Sequence, residues 1–159
     1  MRMLGRQPRA QGAGFAPLIL RVTAGIVMAA HGWQKLTEFG PANFGSQALA
    51  NLGVPLPVFM GYVVTFVELI GGILLIVGLI SRLAALILAI EMVFTTLLVK
   101  THVGFIAPQG SGASAELDLT LLAVFLTILL VGAGRLSLDE LLGVKGEGMR
   151  RRRGRRWWR

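Results

Sequence analysis

The chain has 159 residues, of which 54% are hydrophobic and only 15% charged, and its mean hydropathy is +0.69. A soluble domain usually carries about a quarter charged residues, so this composition excludes an ordinary soluble fold and indicates burial in lipid. The chain has no cysteine, which excludes disulfides, thiolate metal sites and a dithiol relay of its own. The net charge is +8, and most of the excess lies in the two tails, because nine of the 16 Lys and Arg lie from Arg135 onward and three precede Phe15.

Four apolar stretches along the chain are long enough to cross a bilayer. They run over about residues 15–33, 58–80, 83–99 and 117–133. Each has roughly 17–23 residues, the length that crosses ~30 Å of hydrocarbon at 1.5 Å per residue. They lack the in/out alternation of a membrane β-barrel, and helices satisfy their own backbone groups in lipid. The sequence therefore predicts an all-α fold, a four-helix transmembrane bundle in antiparallel up-down order.

The Lys and Arg residues that flank these spans predict the orientation. Thirteen lie on one side of the four-span arrangement and only Lys35 and Lys100 on the other, while Arg21 lies within the first span. Because cytoplasmic loops are enriched in Lys and Arg, both termini are predicted to be cytoplasmic, in a multi-pass protein of the bacterial cytoplasmic membrane. The predicted organisation is a basic tail over 1–14, a membrane domain over 15–142 and a second basic tail over 143–159.

The first span also fits a cleaved signal peptide. It has a basic start, an apolar stretch and small residues at Ala29 and Ala30, where cleavage would occur. Arg21 inside the apolar stretch, and the length of that stretch, favour an uncleaved helix.

The longest loop, residues 37–57, contains an apolar pattern of its own. Phe44, Ala48, Leu49 and Leu52 recur at helical spacing before Gly and Pro residues end the pattern. The pattern predicts a short helix partly in the outer membrane interface, and a loop packed over the mouth of the bundle is the equal alternative.

Ionisable side chains inside the spans identify the candidate site. Each costs a few kcal/mol at membrane depth, so these groups are expected to face the bundle interior. Depths estimated from the helical rise predict that Arg21 pairs with Glu91 and that His31 pairs with Glu68. The candidate polar pocket comprises Arg21, His31, Lys35, Glu68, Glu91 and Glu116.

Several interpretations of this pocket remain open. A histidine beside a buried carboxylate can bind or protonate a small polar headgroup such as a quinone carbonyl. Alternatively, the charged pairs only fix the helix register, and Arg21 extends toward the headgroups. No metal site is predicted, because two histidines on different segments without cysteine do not form a typical ligand set. No residue is assigned a catalytic role.

The C-terminal tail predicts contact with anionic lipid. Its anchor residues are Arg150, Arg151, Arg152, Arg153, Arg155, Arg156, Trp157, Trp158 and Arg159. Such a cluster is too charged to fold alone, gains roughly 1 kcal/mol per charge at an anionic surface, and its tryptophans suit the interface. Nucleic acid is the alternative partner, which we do not favour because a short tethered tail has no folded platform behind it.

Several motifs occur in order along the spans. The first span carries Arg21, Gly25 and His31-Gly32-x-x-Lys35, and the second carries Glu68, Gly71-Gly72 and Gly78-Leu79. The third follows with Arg82-Leu83-Ala84-Ala85 and Met92, and the fourth begins at Glu116 and leads to Gly132-Ala-Gly-Arg-Leu-Ser-Leu-Asp139. With these motifs the sequence resembles the DoxX family of small four-helix membrane proteins over most of residues 18–142. Glu91 departs from the family pattern, which usually has a neutral residue before that methionine. The Arg/Trp tail also lies outside the pattern.

The resemblance implies a redox association more than a defined reaction. The family name comes from subunits similar to those of a thiosulfate:quinone oxidoreductase, and some members are associated with antioxidant and sulfur-transfer enzymes. We therefore expect a membrane subunit of a redox or oxidative-stress system, with quinone as the candidate ligand and redox or sulfur-transfer proteins as partners. No prosthetic-group motif is evident, so any catalysis would be that of an oxidoreductase subunit that receives electrons from a partner. The alternatives are a small-molecule or proton-coupled carrier with Glu68 titrating, and a non-catalytic membrane scaffold.

Overall fold

The structure, a computed structural model, describes residues 15–98, 105–106, 115–134 and 136–143. The helices are α1 Ala16–Gln34, continued by a π-helical turn Lys35–Phe39; α2 Pro41–Phe44, continued by a π-helical turn Gly45–Leu49; α3 Pro57–Val77; α4 Ser81–Leu98; α5 Ala115–Val131; and α6 Leu138–Leu141. Every regular element in the described ranges is helical, which confirms the all-α prediction for them. The predicted tail 1–14, the anchor over 150–159 and Lys100 lie outside the described residues.

Three of the helices are long and apolar enough to cross a membrane: α1 with its π-helical turn, α3 and α4. The fourth, α5, has 17 residues and lies at the fourth predicted span. The predicted bounds of the second and third spans, 58–80 and 83–99, place their junction at residues 81–82, and the structure places it earlier. The α3 helix ends at Val77, and Gly78, in the left-handed region at φ 73°, caps it by donating its N–H to the Leu74 carbonyl. The turn is therefore formed by residues 78–80, because glycine adopts this conformation without strain.

The α1 and α3 helices pack against each other in antiparallel directions. Gly25 of α1 lies against Gly72 of α3. Gly32, about two helical turns further along α1, lies against Leu69, which precedes Gly72 in α3. A Cβ atom on Gly25 would lie 2.7 Å from the Gly72 carbonyl oxygen, so the two backbones approach too closely for side chains. Small residues at helix crossings in membranes allow this close packing.

The core lies between four helices, and the outer surface of the bundle is apolar. The largest fully buried apolar side chains come from α1, α3, α4 and α5 and are Met28, Leu75, Leu88, Phe125 and Ile128. Large apolar side chains also point outward, among them Ile19, Phe94 and Leu130, which is 79% exposed. An apolar core inside an apolar surface is the arrangement of a multi-pass membrane protein, and a water-soluble monomer rarely has such a surface.

The C-terminal segment over 136–143 is hydrogen-bonded to the start of α4. The Asp139 carboxylate accepts hydrogen bonds from the backbone N–H groups of Ile80, at 2.6 Å, and Ser81, at 3.0 Å. These N–H groups have no acceptor within their own helix, and a carboxylate there is also favoured by the helix dipole. Asp139 therefore caps a helix that lies 58 residues earlier in the sequence.

Asp139→Asn is expected to lower the free energy of unfolding by about 1 kcal/mol, because it weakens a capping interaction of that typical size. Thermal unfolding of the protein in detergent measures this change. Glu140→Gln is the matched control, because Glu140 is exposed and its side chain makes no hydrogen bond to another described residue. Equal midpoints for the two variants would contradict a capping role for Asp139.

Candidate functional site

A buried ion pair joins the end of α1 to the middle of α3. The Lys35 Nζ atom lies 2.6 Å from Oε1 and 2.5 Å from Oε2 of Glu68, and the two side chains are 15% and 7% exposed. The antiparallel packing of the helices places residue 35 opposite residue 68. The Phe44 ring lies over the ammonium, with its centroid 5.3 Å from Nζ, which adds a cation–π contact. The α2 segment thus covers the pair.

Two further carboxyls, from α4 and α5, extend this pair. The Glu91 carboxyl adjoins that of Glu68, and the buried Asp118 acts electrostatically on Glu91. Lys35 also attracts Glu91. The group formed by Lys35, Glu68, Glu91 and Asp118, hereafter the polar cluster, therefore receives one side chain from each of the four long helices.

The polar cluster contains one ammonium and three carboxyls, and the carboxyls of Glu68 and Glu91 form a side-chain hydrogen bond with each other. Oε2 of Glu91 is buried, and when both carboxyls are ionised it has no donor among the described residues. Two carboxylates cannot donate to each other, so the missing partner is a donor, either a proton held between the two carboxyls or a hydroxyl of a ligand. Buried polar atoms without partners are rare, and a shared proton, an ordered water or a ligand group can explain each one.

His31 lies beside the polar cluster without joining the ion pair. Its Nδ1 atom donates to the Val27 carbonyl at 2.9 Å, within the same helix, which leaves Nε2 as the acceptor nitrogen. The imidazole still interacts electrostatically with Glu68. The predicted His31–Glu68 pair is therefore wrong as an ion pair: Lys35, one helical turn further on, has a longer side chain and reaches the carboxylate.

A polar cavity lies above the polar cluster at this end of the bundle. Its volume is about 480 Å³, and Lys35 lies in its wall with Gln34, Glu38, Asn43 and Gln47. Gln34 donates to Glu38 at 3.0 Å. The helical segment over 41–51 supplies one side of this cavity and packs on α3, which confirms a helix in the predicted loop.

Arg21 lies at the opposite end of the bundle, and its predicted pairing with Glu91 is wrong. Its guanidinium donates to the Leu75 and Ile76 carbonyls, both at 3.2 Å, and to the Leu136 carbonyl. Arg21 lies near the start of α1, and the antiparallel packing places it at the end of α3, where the last carbonyls have no N–H donor within the helix. Helical rise gives depth alone, whereas pairing also depends on which helices are neighbours.

Glu116 does not join the polar cluster either. It is exposed and lines an open cavity of about 540 Å³ with Leu20, Thr120 and Thr127, while Asp118 is buried. Residues two apart in a helix point to nearly opposite sides, so only one of these two carboxyls can face the core. Sequence reasoning missed Asp118, although its spacing to the core residues Leu121, Phe125 and Ile128 is helical and would have identified it.

Comparison with known proteins gives one matching family and several relatives. The family model described as DoxX matches residues 16–101, which include α1 to α4. No solved structure matches the chain.

The relatives match over most of their lengths. "Putative oxidoreductase CatD" from Bacillus subtilis is 34% identical over 125 residues, which cover 79% of this chain and 85% of the relative. "Uncharacterized membrane protein Rv3486" from Mycobacterium tuberculosis is 31% identical over 132 residues, covering 79% and 80% of the two chains. An "Uncharacterized protein" from Haemophilus influenzae is 32% identical over 123 residues, covering 76% and 86%.

Proposed function

Because the chain belongs to the DoxX family of membrane proteins, we propose that it is an integral membrane subunit of a redox or oxidative-stress system whose polar cluster binds a quinone headgroup. The name of the Bacillus subtilis relative, which describes an oxidoreductase, supports the redox assignment. The polar cluster supports the choice of ligand.

The single observation that carries this proposal is the buried contact between the Glu68 and Glu91 carboxyls, in which Oε2 of Glu91 has no donor among the described residues when both groups are ionised. It lies beside the Lys35–Glu68 pair, within a bundle whose outer surface is apolar. A quinol hydroxyl is the donor that Oε2 lacks, and a quinone carbonyl can accept from the Lys35 ammonium. Both redox forms of the ligand would thus find a partner in the same place.

The proposed chemistry divides electrons and protons between two proteins. Reduction of a quinone consumes two electrons and two protons and gives the quinol. This chain has no cysteine to carry electrons, so a redox or sulfur-transfer partner protein supplies them. Adjoining carboxyls that face one ammonium can hold and release a proton, and this is the part assigned to Glu68 and Glu91.

The proposed topology has four spans, with both termini in the cytoplasm, in a bacterial cytoplasmic membrane. The excess of Lys and Arg at the Arg21 end supports it. Because the chain has no cysteine, Gly154→Cys introduces a unique thiol in the C-terminal tail. A membrane-impermeant maleimide should leave this thiol unlabelled in intact cells and label it after permeabilisation, whereas labelling of intact cells would refute the orientation.

The Arg/Trp tail is assigned a second contact, with anionic lipid. In the Trp33→Phe variant only Trp157 and Trp158 report fluorescence, because the chain has three tryptophans. We expect their emission to shift to shorter wavelength in vesicles that contain anionic lipid, and the shift to disappear in high salt, which screens the attraction. The same spectrum in purely zwitterionic vesicles would contradict an electrostatic anchor.

Quinone-dependent activity of gently purified protein with its native partners tests the proposed function. Glu91→Gln retains the size of the side chain and is expected to lower this activity by up to about tenfold, since a hydrogen bond contributes about 0.5–1.5 kcal/mol. Glu140→Gln, at the opposite end of the bundle, is the control and should leave the activity unchanged. Flux into liposomes that depends on Glu68 would instead favour a carrier. Unchanged activity with reduced stability in Glu91→Gln would favour a scaffold.

A further inference from the structure

A groove between α3 and α4 opens on the membrane-facing side of the bundle. Its volume is about 220 Å³, and all ten residues that line it are apolar. Five of them are also large side chains exposed on the bundle surface, at 41–52%, namely Phe66, Ile70, Ile80, Leu83 and Ile87. Gly71 forms part of the floor, where the missing side chain leaves Leu88 as the nearest neighbour. An apolar groove that faces lipid suits a hydrocarbon chain.

One end of this groove leads to the polar cluster. On α4, Ile87 and Leu88 line the groove, and Glu91 follows them by one helical turn on the same side of the helix. On α3, Val67 lines the groove and Glu68 is the next residue. Between Val67 and Leu74 the groove extends for about 10 Å, calculated from the helical rise of 1.5 Å per residue. The groove and the Glu91 carboxyl thus lie within one helical turn of each other.

We propose that this groove binds the hydrocarbon chain of the quinone while its ring faces Glu91. This inference rests on the proposed function and adds to it: the ligand is a lipid-soluble quinone with a long chain, and it enters sideways from the membrane through the α3–α4 face. The polar cavity above Lys35 then serves exchange of water and protons. A ligand of this kind fits both parts of the site, because its ring is polar and its chain is not.

The test measures the affinity of the purified full-length chain for two quinols with the same ring under anaerobic conditions. One quinol carries an isoprenoid chain and the other does not. Ile87→Trp fills the groove with a larger side chain that remains acceptable on a lipid-facing surface. Ile90→Trp is the matched control, because Ile90 lies on the same helix, is 49% exposed and does not line the groove.

The wild-type chain and Ile90→Trp should bind the long-chain quinol more tightly than the chainless one. Ile87→Trp should lose about tenfold in affinity for the long-chain quinol, the equivalent of about two buried methylenes, with less than about a twofold change for the chainless one. Thermal midpoints of the two tryptophan variants should agree, which separates loss of the groove from loss of the fold.

The outcomes that would overturn the inference are distinct from failure of the proposed function. Equal affinities of the two quinols for the wild-type chain would refute the groove while retaining the ring site. Loss of a co-purified phospholipid in Ile87→Trp with no effect on the quinols would assign the groove to an acyl chain. A change of oligomeric state in that variant alone would assign it to a second copy. Absence of binding by either quinol would refute the proposed function itself.

Discussion

Lys35→Met is expected to lower the free energy of unfolding by about 3–5 kcal/mol, the cost of removing one partner from a buried ion pair. The variant leaves the Glu68 carboxylate, which is 7% exposed, without the ammonium that lies 2.5 Å away. Glu91, which adjoins Glu68, then adds repulsion instead of sharing the attraction of Lys35. The change is measured by equilibrium unfolding of the purified protein in detergent.

The double variant Lys35→Met/Glu68→Leu distinguishes the pair from the bulk of its side chains. An apolar pair of similar size carries no desolvated charge, so we expect it to regain most of the stability lost in Lys35→Met. If the loss of unfolding free energy in the double variant equalled the sum of the losses in Lys35→Met and Glu68→Leu, the Lys35–Glu68 contact would not be the source of the effect.

Gly72→Ala is expected to destabilise the protein by about 3 kcal/mol or more, at the upper end of typical overpacking costs. A Cβ atom there would lie 2.6 Å from the Gly25 carbonyl oxygen, and backbone cannot move aside as a side chain can. The two helices that carry Lys35 and Glu68 would have to separate, so the variant is also expected to weaken quinol binding. Thermal unfolding and quinol titration measure the two effects.

The neighbouring glycine provides the control. A Cβ atom on Gly71 would lie 3.2 Å from the end of the Leu88 side chain, which can adjust. Gly71→Ala therefore should cost less than about 1 kcal/mol. Similar losses in the two variants would mean that general glycine effects in α3, rather than the crossing with α1, determine the stability.

The helices of the fold could be predicted because their signal is local. Lipid requires long apolar helices, so the four long helices follow from hydropathy alone, with ends displaced by no more than a few residues. The displaced junction after Val77 shows the limit: the apolar run continues through Gly78–Ile80, and only the capping conformation of Gly78 ends the helix there. A glycine near the end of such a run is the signal that locates the boundary.

The membership of the site was less predictable, because it depends on which helices are neighbours. Sequence reasoning selected Lys35, Glu68 and Glu91, which the structure brings together, and also Arg21, which bonds to carbonyls at the other end of the bundle. It selected Glu116, which is exposed, and missed Asp118, whose spacing to the core residues of α5 is helical. Close contact of α1 with α3 along their glycines decides these pairings, and hydropathy does not encode it.

The central claim is that a carboxyl oxygen of Glu91 receives a quinol hydroxyl inside the bundle, and calorimetric titration tests it most directly. The purified full-length chain is titrated anaerobically with a chainless quinol, beside Glu91→Gln and the remote control Glu140→Gln. The account predicts saturable binding to the wild-type chain and to Glu140→Gln, and about tenfold weaker binding to Glu91→Gln. Equal affinity of the wild-type chain and Glu91→Gln, or no saturable binding to either, would contradict it.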